Sequence, residues 1–228
     1  YQLIYFMLYI IPTPIGNLKD ITLRCIEKLK NTDLIIVENY NKSKILFKEH
    51  NISAPYIINN TFNESSKLDY IISKIKSVKN CCLITDSGTP GISDPGFLII
   101  RKCVELEIEI KCLPGPTALI PALIQSGFPC DKFVFEGFLP KKKGKLKRLK
   151  YLVNETRSVI IYESPHRIVK TLEIIDALTP KKKIVVVKEL TKIHENIYRG
   201  ISKEIIKNLE LSNLKGEFII IMNGTDEK

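Results

Sequence analysis

CCLITDSGTPGISDPG, residues 81–96, begins as an apolar run and ends as a loop. The run has the β-branched and small apolar content of a buried strand. The loop that follows, TDSGTPGISDPG at 85–96, holds three glycines and two prolines among Asp, Ser and Thr. Glycine lets backbone approach a ligand closely and permits positive φ. A loop of this kind at the carboxyl end of a strand sits where open α/β sheets bind ligands. Neither G-x-G-x-x-G nor G-x-x-x-x-G-K-[ST] occurs in the chain. Nucleotide hydrolysis and a conventional dinucleotide site are therefore disfavoured. A ligand held by backbone groups and loop prolines fits better.

The rest of the chain repeats the alternation around this segment. Strands are expected at 8–11, 34–38, 108–113, 133–137, 158–163, 183–189 and 217–222, besides 81–85. Several are continuous Ile/Val runs, as in strands covered on both faces. Helical patterns lie between them at 21–30, 65–78 and 165–178. Residues Ile21, Cys25, Ile26 and Leu29 share one face of the first. The third carries Pro165 in its opening turn, where proline is tolerated. Alternating strands and helices predict an α/β fold with mainly parallel sheets. The segment LPGPTALIPALIQSGFP, 113–129, packs four prolines and two glycines into the middle and reads as a boundary, followed by a helix opening at Thr117. The expected architecture is two α/β domains, 1–114 and 115–228, facing a cleft.

The chain has 228 residues, enough to bury a core without disulfide or metal staples. Its 35 Lys and Arg against 25 Asp and Glu give a net charge of +10. Much of the excess sits in KKKGKLKRLK, 141–150, which has seven basic side chains and no acidic one. Such a patch points to a polyanion, RNA or DNA before a membrane surface; the plain alternative is lysine decorating the surface of a Lys-, Ile- and Asn-rich chain. The six cysteines form no C-x-x-C pair and read as reduced, buried thiols of a cytoplasmic protein. The opening YQLIYFMLYI lacks a basic flank and a cleavage site, and no run approaches the ~20 apolar residues of a membrane span. Met7 is a plausible start, with residues 1–6 upstream of it. The chain has three histidines and no metal-ligand spacing, so no catalytic metal is expected.

Four further constellations stand at strand ends. IPTPIGNLKD, 11–20, is a stiff turn in which Asn17 can cap and Asp20 can open a helix. YESPHR, 162–167, crowds Glu163, His166 and Arg167 at a strand-to-helix turn; cations in a first helical turn break the dipole rule, which marks a site candidate. KELTK, 188–192, puts Glu189 and Lys192 after another strand, and LKGEF, 214–218, puts Gly216 and Glu217 before the last one.

Taken in order, TPIGNLKDITLR, TDSGTPGISDPG, LPGPTAL, GFLPKKKG, YESPHR, KELTK and KGEF resemble the tetrapyrrole-methylase-fold enzymes, and among them the 16S ribosomal RNA cytidine 2′-O-methyltransferases. The likeness runs over about 8–222. It implies two α/β domains, S-adenosylmethionine as cofactor, a homodimer, and methylation of a decoding-centre cytidine in 16S rRNA of the small ribosomal subunit.

Carried over position by position, the resemblance assigns Pro14 and Gly16 to the first turn of the cofactor site. It assigns Gly88, Thr89, Pro90 and Ile92 to the cofactor loop, and Thr117 and Ala118 to the methionine portion. Tyr162, Leu190 and Gly216 fall where the second domain approaches the adenosine. Two features depart from the family. Its acidic-Asp-Thr-Arg segment after the second strand reads Glu38-Asn39-Tyr40-Asn41 here, and the chain stops soon after K-G-E-F, where many relatives continue.

Transfer to a ribose hydroxyl needs in-line positioning in a desolvated site and help in removing a proton. Glu163, His166 and Glu189 are the candidate bases, with Arg167 or Lys192 steadying negative charge. Lys141, Lys142, Lys143, Lys145, Lys147 and Arg148 are the candidate phosphate contacts. Two alternatives remain: methylation of a tetrapyrrole precursor, and a non-catalytic RNA- or ribosome-binding relative, which the altered 38–41 segment favours.

Overall fold

In the computed structural model, residues 6–141, 144–210 and 214–224 are described. The chain divides into two compact units, Tyr1–Thr117 and Ala118–Lys228.

The first unit is a five-stranded sheet in which every pairing is parallel. Its strands are β1 (Met7–Ile10), β2 (Leu34–Val37), β3 (Tyr56–Ile58), β4 (Asn80–Leu83) and β5 (Glu109–Cys112), in the order β3-β2-β4-β1-β5. Helices α1 (Leu23–Lys30), α2 (Tyr40–His50), α3 (Leu68–Ile75) and α4 (Phe97–Glu105) connect them. Strand alternation sends Leu8, Ile36 and Leu83 to one face, where Ile71 and Ile75 of α3 and Ile99 and Cys103 of α4 pack. Ile35, Val37 and Cys82 go to the other, against Cys25 and Leu29 of α1 and Leu46 and Phe47 of α2. The unit is a doubly wound sheet with its carboxyl edge left to loops.

The second unit is mixed. Strands β6 (Phe133–Phe138), β7 (Ser158–Glu163), β8 (Ile184–Lys188), β9 (Asn196–Gly200) and β10 (Phe218–Met222) lie in the order β6-β7-β10-β8-β9. Only β6 and β7 are parallel; β10 runs antiparallel to both β7 and β8, and β9 antiparallel to β8. The expectation of mainly parallel sheets thus fails for this unit. A central antiparallel strand buried on both faces, such as FIIIM of β10, has the same continuous apolar run as a parallel one. Helices α6 (Lys145–Leu152), α7 (Ile168–Leu178) and α8 (Ser202–Glu210) cover one face, burying Leu149, Leu152, Leu172, Ile175, Ile205 and Leu209 against Val159, Ile161, Val186 and Ile220. Helix α5 (Leu119–Ser126) also belongs to this unit.

Several boundaries move for local reasons. Helix α1 starts at Leu23, capped by Thr22 Oγ1 accepting from Cys25 N–H, while Asn17 caps a separate 3₁₀ turn at Leu18–Asp20. Helix α5 opens at Leu119, two residues beyond Thr117. Helix α7 starts at Ile168, so Pro165 and His166 occupy the turn before it and Arg167 its N-cap position. Of the six thiols, Cys25, Cys81, Cys82 and Cys103 are buried but Cys112 and Cys130 are exposed, which corrects the expectation of uniformly buried cysteines.

Candidate functional site

In the first unit, three of the quoted motifs meet at the carboxyl ends of β1, β4 and β5. Thr13 and Gly88 exchange two backbone hydrogen bonds of 2.9 and 3.0 Å, joining the IPTPIG turn to the 85–96 loop. Thr13 Oγ1 donates to Thr85 O at 3.0 Å, and Thr89 Oγ1 to Pro116 O at 3.0 Å, which brings in the LPGPT segment. A side chain on Gly115 would place its Cβ 2.6 Å from Pro12 Cβ, so that contact requires glycine. Within the loop Gly88, Gly91, Ser93 and Gly96 all have positive φ. Pro14, Gly16, Gly88, Thr89, Pro90, Ile92 and Thr117 therefore belong to one constellation. Ala118, the next residue, begins the second unit.

One element of this constellation escaped the sequence reading. The Glu64 carboxylate, only 8% exposed, accepts from Gly96 N–H at 2.8 Å and Leu98 N–H at 3.1 Å. It caps α4 from 32 residues away and fixes the far end of the loop. In the sequence it is one acid in the polar stretch NNTFNESSK, and no spacing marks it.

At the start of the loop, the Thr85 hydroxyl and Asp86 Oδ1 are buried without a hydrogen-bond partner. Asp86 Oδ2 pairs with Lys42 at 2.8 Å, and Glu38 accepts from Asp86 N–H at 3.1 Å. Burial pushes the Glu38 carboxyl above its ordinary range, against the hydrogen bond from Asp86. The divergent segment after β2 is thus built into the structure. Asn39 caps α2, and Tyr40 stacks on Tyr56 with ring centroids 4.1 Å apart.

In the second unit, the assigned residues form two clusters at one end of the sheet. The first centres on Glu163, whose side chain is fully buried. It accepts from Thr171 Oγ1 at 2.6 Å and Ser164 N–H at 2.9 Å, and pairs with Arg167 at 3.2 Å and Lys145 at 3.5 Å. Arg167 also donates to Leu139 O at 2.9 Å and Pro140 O at 3.3 Å, fastening the segment that leads into the lysine run. Glu163 shares its strand face with Val159 and Ile161, the face covered by helices. It is therefore sealed from solvent and engaged with two cations and two other donors, unlike a base awaiting a substrate proton. Lys145 and Arg148 likewise differ from free phosphate contacts: Lys145 lies against Glu163 and Thr171, and Arg148 makes a two-pronged pair with Glu136.

The second cluster joins KELTK to KGEF. Glu189 accepts from Lys192 Nζ at 2.8 Å and from Glu217 N–H at 2.9 Å, while Lys192 also reaches Glu217 at 3.0 Å. Burial opposes ionisation of Glu189, but the Lys192 and Glu217 hydrogen bonds outweigh it and hold the carboxyl below its ordinary value. Burial likewise works against the Lys192 charge, and the two glutamates more than offset it, raising that pKa. Gly216, at φ +108°, leaves the space the Glu189 side chain fills: a Cβ there would come within 2.5 Å of Glu189 Cγ and Cδ. Glu189 and Thr191 themselves hold positive φ at a position with no glycine, a strain typical of functional turns. Leu190 between them is buried. Tyr162 lies on the opposite strand face from Glu163, edge-on to Phe135 at 5.0 Å and Phe138 at 5.7 Å. His166, Lys141 and Lys147 are exposed; Lys142 and Lys143 lie outside the described residues.

This geometry matches known proteins along nearly all of its length. The family model for tetrapyrrole (corrin/porphyrin) methylases matches residues 7–206. The chain belongs to that family. It is a methyltransferase that takes its methyl group from S-adenosylmethionine. A protein of Buchnera aphidicola named ribosomal RNA small subunit methyltransferase I is 43% identical, over 97% of this chain and 79% of its own length. Proteins of the same name from Hydrogenobaculum and Thermotoga maritima are 41% and 36% identical, over 95% and 96% of this chain and 95% and 99% of theirs. Among solved structures, a cobalt precorrin-4 methyltransferase superposes with a TM-score of 0.71 at 16% identity, covering 96% of this chain and 95% of that one. A diphthine synthase does so with a TM-score of 0.73 at 12% identity, covering 95% and 90%. These two establish the methylase fold.

The residues present suit the cofactor. Bare backbone at Gly88 and Gly91, with the orphaned Thr85 hydroxyl and Asp86 oxygen in the same loop, offers polar groups to a zwitterionic ligand. Among the described residues no group of three His, Cys, Asp or Glu side chains gathers as a metal site, and no helix is long and apolar enough to cross a membrane.

Proposed function

We propose that this protein methylates the 2′-hydroxyl of a decoding-centre cytidine in 16S rRNA of the small ribosomal subunit. The observation that carries the reading is the near end-to-end identity, 36–43%, with relatives named for methylating small-subunit ribosomal RNA. In this reading Pro14, Gly16, the Gly88–Ile92 loop, Thr117 and Ala118 hold S-adenosylmethionine, with Tyr162, Leu190 and Gly216 on the adenosine side. The cofactor supplies a methyl group on a sulfonium, open to in-line attack.

The protein's own task is to hold the ribose oxygen in line, exclude water and take up its proton. With Glu163 sealed and Glu189 paired, the base role falls to His166, the exposed member of the three. Lys141 and Lys147 contact phosphate, which adds affinity without reading sequence. The active form is a homodimer in the cytoplasm.

The test is transfer of labelled methyl from S-adenosylmethionine to purified small subunits and, separately, to a tetrapyrrole precursor. Label in 16S rRNA that falls at least tenfold with His166→Ala supports the reading. Label in the tetrapyrrole alone overturns it.

A further inference from the structure

A second lysine run, KKK at 181–183, lies in the turn between α7 and β8. Beside it the second unit has a hollow of about 350 Å³. Its walls are the end of α6 with Asn154, the turn with Thr179 and Lys181–Lys183, and the end of β10 with Asn223. Among the described residues, no acidic side chain lines it. Lys182 is tied down through Nζ to Val153 O at 2.9 Å, whereas Lys181 and Lys183 are exposed. The Thr179 hydroxyl is buried there without a partner. Exposed ammonium groups, the Asn223 amide and an unused hydroxyl, with no carboxylate among the described lining residues, suit an anion with several acceptor oxygens, while the Asn154 amide donates to Lys150 O at 2.7 Å.

The hollow sits at the amino end of β8, whereas Glu189 follows its carboxyl end. A five-residue strand separates the two by about 16 Å. Helix α6 bridges the same interval. Its first residue, Lys145, touches Glu163 at the site end, and its C-terminal neighbours Val153 and Asn154 line the hollow. Lys147 and Lys150 are exposed between them. A basic track thus runs from Lys145 along α6, by Lys147 and Lys150, to the hollow.

We propose that this hollow binds a backbone phosphate of the RNA substrate, giving a second anchor at the far end of the α6 track. The inference rests on the RNA reading above. It is tested by measuring affinity for purified small ribosomal subunits against salt concentration, for the wild type, Lys181→Gln/Lys183→Gln, and a control of equal charge loss on the first unit, Lys48→Gln/Lys79→Gln. S-adenosylmethionine affinity is measured on the same proteins.

Each lost phosphate contact lowers the slope of log affinity against log salt by about 0.7–0.9. The hollow variant is expected to flatten the slope by about 0.7–0.9 while keeping cofactor affinity. The control is expected to change it by less than half a unit or so. An unchanged slope in the hollow variant, or an equal fall in the control, would overturn the inference. A wild type that binds cofactor but shows no salt-dependent affinity for subunits would overturn the RNA reading and this inference with it.

Discussion

Glu163 carries the clearest consequence of burying charge. Its buried carboxylate is the shared counter-charge of Lys145 and Arg167, both largely withdrawn from solvent. Removing one member of such a group leaves an uncompensated charge in a low-dielectric site. Glu163→Gln is expected to cost about 3 kcal/mol in chemical denaturation, and adding Lys145→Met to recover part of it. A variant that loses turnover at unchanged stability would mean that Glu163 acts on the substrate after all. Gly216→Ala forces a Cβ into the Glu189 side chain at a backbone angle that L-residues avoid. It should cost about 1–3 kcal/mol and break the Glu189–Lys192 pair.

That pair also sets a pH dependence. The Glu189 carboxyl is held below its ordinary value of 4.5, so its contribution is complete above that value and fades as pH falls through the lowered one. The Lys192 value is raised, so its contribution is complete below 10.5 and fades as pH rises beyond. Wild-type stability should therefore fall more steeply than that of Glu189→Gln between neutral pH and about pH 3, the two converging in acid as the extra stabilisation is lost. Equal acid losses in both proteins would contradict the assignment.

Loops, not strands, decide where the chemistry sits, and one loop depends on a distant carboxylate. Glu64 satisfies two N–H groups at the start of α4 and so pins the end of the 85–96 loop. Glu64→Ala should cost about 1–3 kcal/mol and weaken S-adenosylmethionine binding several-fold, read by calorimetry. Unchanged cofactor affinity would separate that loop end from the cofactor site.

What the sequence disclosed follows the same division. The core strands were legible because continuous apolar runs bounded by turn residues have few other readings. β3 and β9 were not: both lie at sheet edges, where half-exposed residues such as Tyr56, Ile58 and Arg199 carry no apolar period. Strand direction in the second sheet was hidden too, because burial on both faces erases alternation whichever way β10 runs. The glycine- and proline-rich motifs announced the site because their chemistry is local. Glu64, Thr171 and the sealing of Glu163 depend on contacts far apart in the chain.

Taken together, the net charge of +10, a family fold built for sulfonium methyl transfer and near full-length kinship with small-subunit RNA methyltransferases converge on one activity. The charge matters to encounter as well as to holding: methyl transfer to subunits at limiting RNA should fall steeply as salt rises, while cofactor binding changes little. The decisive measurement is nucleoside analysis of small subunits incubated with the protein and S-adenosylmethionine, digested to single nucleosides and separated by mass. The account predicts 2′-O-methylcytidine that is absent without the protein. Methyl groups only on bases, or none on 16S rRNA from a protein that binds the cofactor, would contradict it.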